Sequence, residues 1–333
     1  MAYLAYSYDM KILITGVSGF LGSHLAERIL KEGHTVVGLD NLQTGNLENI
    51  STFKDSSSFR FIQGSILDYE VVEKSMREVD YVFHLAAAVG VFNIVNSPLE
   101  SLMTNIRGTE IVLEAAMAAN LPVFFTSSSE VYGKNVSDSL RESDDRILGS
   151  PTTLRWSYSE AKAIDESLVY AFHVEKGLET RIVRFFNTVG PRQLGSYGMV
   201  VPRFVKSAIN DEPITIYGTG EQTRCFAHVY DVIDAVLKVA FSEKTIGKVL
   251  NIGNNQEISM NALAKLIIAK TKSKSPIIHI PYEEAYGSGF EDMQRRVPNI
   301  ELIKSLVGWE PKRNLENIID DIFTEMKNGV KSH

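Results

Sequence analysis

One stretch constrains the fold of this chain more than any other: residues 10–41, MKILITGVSGFLGSHLAERILKEGHTVVGLDN. Lys11 to Thr15 form a short apolar run of the kind that a buried parallel strand needs. Gly16, Gly19 and Gly22 follow at three-residue spacing, and a helical pattern then begins with Leu25, Ile29 and Leu30 on its apolar face. The pattern predicts a strand, a glycine turn and a helix. Gly16 allows the tight turn, Gly19 lets backbone approach a pyrophosphate, and Gly22 permits close helix packing, so a diphosphate can sit on the helix N-terminus. Thr35 to Leu39 predict the next strand, and Asp40 closes it where a carboxylate accepts from both hydroxyls of an adenosine ribose. That charge would repel a 2′-phosphate, so NAD is expected rather than NADP.

The spacing is G-x-x-G-x-x-G, and GVSGFLG places Phe20 and Leu21 before its last glycine. In this form the segment resembles the extended short-chain dehydrogenase/reductases, the NAD-dependent epimerases, dehydratases and decarboxylases of nucleotide sugars. The resemblance covers almost all of residues 10–325. It implies an α/β protein, a Rossmann-type doubly wound parallel sheet with a smaller α/β substrate-binding domain. A chain of 333 residues with 44% hydrophobic content can form one large or two linked domains. Regular strand–helix alternation stops after Phe185, where FFNTVGPRQLGSYGMVVPRF is rich in Gly and Pro. The expected division is a NAD-binding domain over 10–185, with 226–252 returning to it, and a nucleotide-sugar-binding domain over 186–225 and 253–325. Residues 1–9 are expected to be an N-terminal extension.

Further strands are predicted at Phe59 to Gln63, at Tyr81 to Leu85, from Val123 to Thr126 and at Thr180 to Phe185. Long helices are predicted over Pro98 to Asn120 and from Pro151 to about Lys176. The resemblance brings Asn41, Ser65, Ile66, Leu85, Ala86 and Ala87 to the cofactor, with Ser65 standing where relatives carry an acid near the adenine. His84, ending a buried strand, is expected to be structural.

Ser127, Ser128, Ser129 and Glu130 follow the fifth strand at its carboxyl end, where ligands sit on a doubly wound sheet. Tyr158 and Lys162 are four residues apart on a helix and share a face. A tyrosine, with an ordinary pKa of about 10, needs a nearby cation to act as a base at neutral pH; Lys162 supplies that charge, and the oxidised nicotinamide would add another. Carried over position by position, the resemblance makes Tyr158 the base, Lys162 the residue that tunes it and binds the ribose, and Ser128 the helper. It also implies that Ser129, Asn187, the backbone around Val200 and Val201, and Arg224 contact the nucleotide sugar. Arg192 and Arg203 are further candidates.

Members of this family first oxidise the sugar at carbon 4 and then diverge. SSEVYG at 128–133, RWSYSEAK at 155–162 and EDMQRRVP at 291–298 resemble the decarboxylating branch. By that match Glu130 is the acid and Arg296 the arginine of a UDP-glucuronate decarboxylase. A 4-epimerase acting on UDP-glucuronate, UDP-glucose or UDP-N-acetylglucosamine is the alternative, because Glu130 also suits some epimerases and Arg295 or Arg296 could bind the diphosphate. A 4,6-dehydratase would want an Asp-Glu pair where Ser129-Glu130 stands. Intact Ser128, Tyr158 and Lys162 argue against a non-catalytic dinucleotide sensor.

The single cysteine, Cys225, excludes an internal disulfide and a cysteine metal cluster, so no metal is expected. A net charge of −7 argues against nucleic acid as partner. No apolar run reaches the length of a membrane span, and MAYLAYSYD lacks the pattern of a signal peptide, so a cytoplasmic enzyme is expected. The helices near 98–119 and 155–176 resemble the pair that forms a dimer interface in the family, which implies a homodimer.

Overall fold

Strand β1 (Lys11–Thr15), with Ile12, Leu13 and Ile14 fully buried, runs through the glycine turn into α1 (Phe20–Lys31). The computed structural model describes residues 9–89, 96–193, 199–286 and 293–330. The alternation continues with β2 (Thr35–Asp40), β3 (Phe59–Gln63), α2 (Tyr69–Ser75), β4 (Tyr81–His84), α3 (Pro98–Ala118), β5 (Val123–Ser128), α4 (Ser157–Lys176) and β6 (Thr180–Phe185). Beyond this point the strands are short. They are β7 (Thr188–Val189), β8 (Ile214–Tyr217) after α5 (Val200–Ile209), β9 (Thr223–Cys225) and β10 (Ala227–His228). Then come α6 (Val229–Ala240), β11 (Val249–Ile252), β12 (Glu257–Ser259), α7 (Met260–Thr271), β13 (Ile277–Ile280), α8 (Tyr282–Tyr286), α9 (Glu301–Val307) and α10 (Leu315–Val330).

Seven strands form one sheet in the order β11-β6-β5-β4-β1-β2-β3, and every pairing in it is parallel. Successive side chains of β1 point to opposite faces: Ile12 and Ile14 pack with Leu25 and Ile29 of α1 and Val232 and Val236 of α6. Leu13 joins Val112 and Ala116 of α3 and Val169 of α4 on the other face. A sheet covered on both sides explains why its strands read as continuous apolar runs. A separate core gathers Phe204 and Val205 of α5, Ile214 and Ile216 of β8, Leu263 and Ile267 of α7, and Ile318 and Ile322 of α10.

Several predicted boundaries move, two of them beside the site. The helix expected from Pro151 begins at Ser157, after a 3-10 turn over Leu154–Trp156. The Ser150 hydroxyl meets that of Thr152 at 2.8 Å and accepts from the Thr152 N–H at 3.3 Å, local bonds that compete with helix formation. The fifth strand runs on to Ser128 because Ser127 and Ser128 continue the pairing with Arg184 and Phe185 of β6. Of the expected N-terminal extension only Asp9 is described, and Glu291 and Asp292 of the third branch motif also lie outside the described residues. Among the described residues no helix is long and apolar enough to cross a membrane.

Candidate active site

The carboxyl ends of β1, β2, β4 and β5 open into a cavity of about 690 Å³ beside the point where the strand order reverses, between β4 and β1. Gly16, Gly19, Phe20, Leu21, Gly22, Asp40, Asn41, Ile66, Leu85, Ala86 and Ala87 line one part of it. Gly16 has φ +74°, and a Cβ there would stand 2.9 Å from the Ala86 nitrogen. A Cβ on Gly22 would stand 2.1 Å from the Gly16 carbonyl oxygen, so this glycine is required by helix packing. Gly19 caps α1 with neither a side-chain cap nor an acidic residue in the first turn, which leaves the helix N-terminus able to receive an anion.

Asp40 is buried, its Oδ2 accepting from the Ser18 N–H at 2.9 Å and its Oδ1 from the Leu42 N–H at 2.8 Å. Burial raises its pKa even against these two donors. A carboxylate fixed at the end of β2 and an open helix terminus beside it fit the ribose and diphosphate of a dinucleotide. Ser65 is placed differently from its sequence neighbour Ile66: its hydroxyl accepts from the Leu67 N–H at 3.2 Å, while Ile66 meets the cavity. The Thr15 hydroxyl bonds His84 Nδ1 at 2.8 Å and accepts from the N–H groups of Leu85 and Ala86, tying β1 to the end of β4. Burial drives the His84 pKa down to about 3, so the ring is neutral and serves this tie.

Across the cavity Ser128 ends β5, and a 3-10 turn over Ser129–Tyr132 presents Glu130. Ser128 hydrogen-bonds Tyr158 in the first turn of α4. Lys162 lies one turn on, 4.6 Å above the Phe125 ring and 3.5 Å from Asp165 Oδ2. Burial pushes the Tyr158 phenol well above its ordinary range, and Glu130 and Asp165 add to that. Lys162 is turned to Asp165, and the second positive charge that the sequence reading calls for, that of the oxidised nicotinamide, would come with the cofactor.

Glu130 sits between two buried guanidinium groups. Its Oε2 is 2.8 Å from Arg155 Nη1, and its Oε1 accepts from Arg296 Nη1. Arg296 Nη2 donates to Asn187 Oδ1 at 2.8 Å, and Asn187 Nδ2 donates to the Cys225 carbonyl at 2.9 Å. Burial alone would raise the Glu130 pKa, but Arg155 and Arg296 outweigh it and hold the carboxyl well below the usual carboxylate range. Glu130 is thus held as the carboxylate between the two arginines.

Ser129, Val200, Val201, Arg192, Arg203 and Arg224 also line the cavity. Arg192 Nη2 is 2.5 Å from Glu27 Oε2, Arg203 lies 4.5 Å over the Tyr217 ring, and Arg224 Nη1 donates to the Thr223 carbonyl at 2.8 Å. Arg295 faces elsewhere, paired with Glu257 at 2.7 Å and with Asp138, so Arg296 is the member of that basic pair at the cavity. Arg155, within RWSYSEAK, and Asp165 are functional positions that the sequence motifs do not assign. The place of Arg155 in a 3-10 turn, outside the helix that carries Tyr158, leaves no periodic signal for its role.

The sequence model of the NAD dependent epimerase/dehydratase family matches residues 12–253. The chain is 37% identical to the UDP-N-acetyl-alpha-D-glucosaminuronate decarboxylase of Bacillus cytotoxicus over 96% of its own length and 99% of the relative's. It is 35% identical to UDP-glucuronic acid decarboxylase 1 of Xenopus tropicalis, covering 94% of this chain and 71% of that protein. The fold superposes with a TM-score of 0.87, at 28% identity, on the UDP-glucuronic acid 4-epimerase of Bacillus cereus solved with UDP-glucuronic acid and NAD, covering 96% of this chain and 99% of that one.

Proposed function

Since the chain belongs to the NAD-dependent epimerase/dehydratase family, we propose that it decarboxylates a UDP-linked uronate after oxidation of the sugar at carbon 4. The observation that carries this reading is Glu130 shared between Arg155 and Arg296. One carboxylate offset by two guanidinium groups leaves a positive charge in a largely buried site, which suits the carboxylate of a uronate. Gly16, Gly19 and Asp40 would hold NAD, which would supply the hydride acceptor for carbon 4 and so give access to a β-keto acid.

The roles of this chain's residues follow from their places. Tyr158 takes the proton of the carbon 4 hydroxyl while Ser128 holds the same oxygen. Its high pKa means that the proton leaves only when positive charge on the cofactor side adds to that of Lys162. Carbon dioxide then departs with cleavage of the bond between carbons 5 and 6. The electron pair moves onto the carbon 4 oxygen held by Ser128 and Tyr158, a water molecule in the cavity gives a proton to carbon 5, and return of the hydride to carbon 4 with the Tyr158 proton to its oxygen would yield the UDP-linked pentose. Glu130, held ionised, orients the two arginines instead of giving that proton.

In the same reading the elements around the large sheet carry NAD, and residues 186–225 with 253–325 close over the UDP-sugar, with Asn187, Arg203 and Arg224 on the nucleotide side. The exposed Leu99 and Met103 of α3 and Ile164, Tyr170 and Val174 of α4 support a homodimer formed on these helices, which light scattering tests. A cytoplasmic location agrees with the single buried cysteine, Cys225.

The second reading is 4-epimerisation, supported by the likeness to the Bacillus cereus enzyme and by an ionised Glu130, since turning the ketosugar over needs no extra acid. Proton NMR of the enzyme with NAD and either UDP-glucuronate or UDP-N-acetylglucosaminuronate decides between them. A UDP-linked pentose, or its N-acetylated counterpart, is the expected product. A new uronate isomer would make the enzyme an epimerase, and no turnover of either substrate would overturn the uronate assignment.

A further inference from the structure

The residue behind the lysine is the least explained in the site. Asp165 is 0% exposed, and its carboxylate oxygens meet only long contacts, from Lys162 and from the Thr109 hydroxyl, among the described residues. Its close cation is Lys162, whose Nζ is 3.5 Å from Oδ2, one turn back on the same helix. A buried, poorly bonded carboxylate is costly to a fold.

We propose that Asp165 is the positioning residue of this active site, fixing the buried Lys162 in place and keeping it charged beside Tyr158. The proposal rests on the assignment of Tyr158 and Lys162 made above.

The surroundings leave that task to Asp165. Glu166, the neighbouring carboxylate on α4, is committed to Arg184 of β6 at 2.8 and 2.7 Å, with Arg146 3.9 Å away. His84 faces Lys162 from β4 and is neutral. From α3 the Thr109 hydroxyl bonds His84 Nε2 at 3.2 Å and also faces Asp165. Through Thr109, His84 and Thr15, Asp165 is therefore connected to the strand that leads into the glycine turn. Burial draws the Lys162 pKa down, and Asp165, followed by the charge of Glu166, opposes it, so without Asp165 the ammonium would lose its proton at lower pH.

The test compares wild-type holoenzyme with Asp165→Asn and Asp165→Glu across pH, reading kcat and KM for whichever UDP-uronate the wild type turns over. For Asp165→Asn the alkaline limb of kcat is expected to move to lower pH by about one unit or more, with KM little changed and partial rescue in Asp165→Glu. An Asp165→Asn profile identical to wild type overturns the proposal. If Asp165→Asn does not fold, Lys162→Met is compared with Lys162→Met/Asp165→Asn by thermal melting. A double variant that folds and melts higher than Lys162→Met supports pairing, and one that stays unfolded shows that Asp165 serves the fold and not Lys162. A wild type inactive on every UDP-sugar would sink the functional assignment but leave this melting comparison to be read on its own.

Discussion

Arg155 Nη1 stands 2.8 Å from Glu130 Oε2, joining the turn before α4 to the turn after β5 inside the cavity. With Arg296 on the other oxygen, the pKa of Glu130 lies well below its ordinary 4.5. A carboxylate with a lowered folded pKa stabilises the protein fully above its unfolded value and loses that contribution as pH falls toward the folded one.

Glu130→Gln is therefore expected to be less stable than wild type by about 3 kcal/mol at neutral pH, because two buried arginines lose their shared partner. The difference should shrink as pH falls below about 4.5. Thermal melts of both proteins at several pH values check this, and a gap independent of pH would contradict it.

Tyr158→Phe keeps the ring and removes the hydroxyl that Ser128 contacts. Turnover should fall by at least about 100-fold, while NAD is retained. Rapid-quench turnover beside equilibrium dialysis of NAD measures the two separately, and full activity would refute the assigned base.

Asp40 should set cofactor choice. Asp40→Ser removes the charge and the fixed acceptor of the Ser18 and Leu42 N–H groups. The preference for NAD over NADP, taken from the two dissociation constants, should drop by about tenfold or more, a change of ~1.4 kcal/mol. An unchanged ratio would show that Asp40 does not read the ribose.

Two glycines should respond unequally to alanine. At Gly22 the new Cβ would stand 2.1 Å from backbone oxygen of Gly16, which no side-chain rotation relieves, so a loss of about 3 kcal/mol is expected. At Gly33 the Cβ would meet nothing within 4 Å, and only its φ of +94° resists, for about 1 kcal/mol. Denaturant titrations of the two variants provide the comparison.

What could be read from the sequence was what is local along it. The glycine spacing, Asp40 after β2, Ser128 after β5 and the one-turn interval from Tyr158 to Lys162 each lie within one strand–turn–helix unit, where periodicity and turn chemistry act. The clamp on Glu130 was only half legible, because Arg296 reaches it from 166 residues away and the partner nearer in sequence, Arg155, lies in a 3-10 turn where a helix was predicted. Protonation was less legible still. The Lys162 side chain turns to Asp165 and Tyr158 is buried, and neither fact follows from the spacing of the two residues. Ser65 and Arg192 were placed by their neighbours in the motif, yet the turn at Leu67 and the carboxylate of Glu27 engage them.

The pairing of β11 with β6 bears on how the molecule can be made. A ribosome releases Thr180–Phe185 long before Val249–Ile252, so β6 must wait as an open edge of almost wholly buried residues while the intervening elements are synthesised. A shortened gene ending near residue 185 would therefore not yield an independent module: the sheet would lack β11, the strand that covers β6, and the fragment would be left to chaperones or to aggregation.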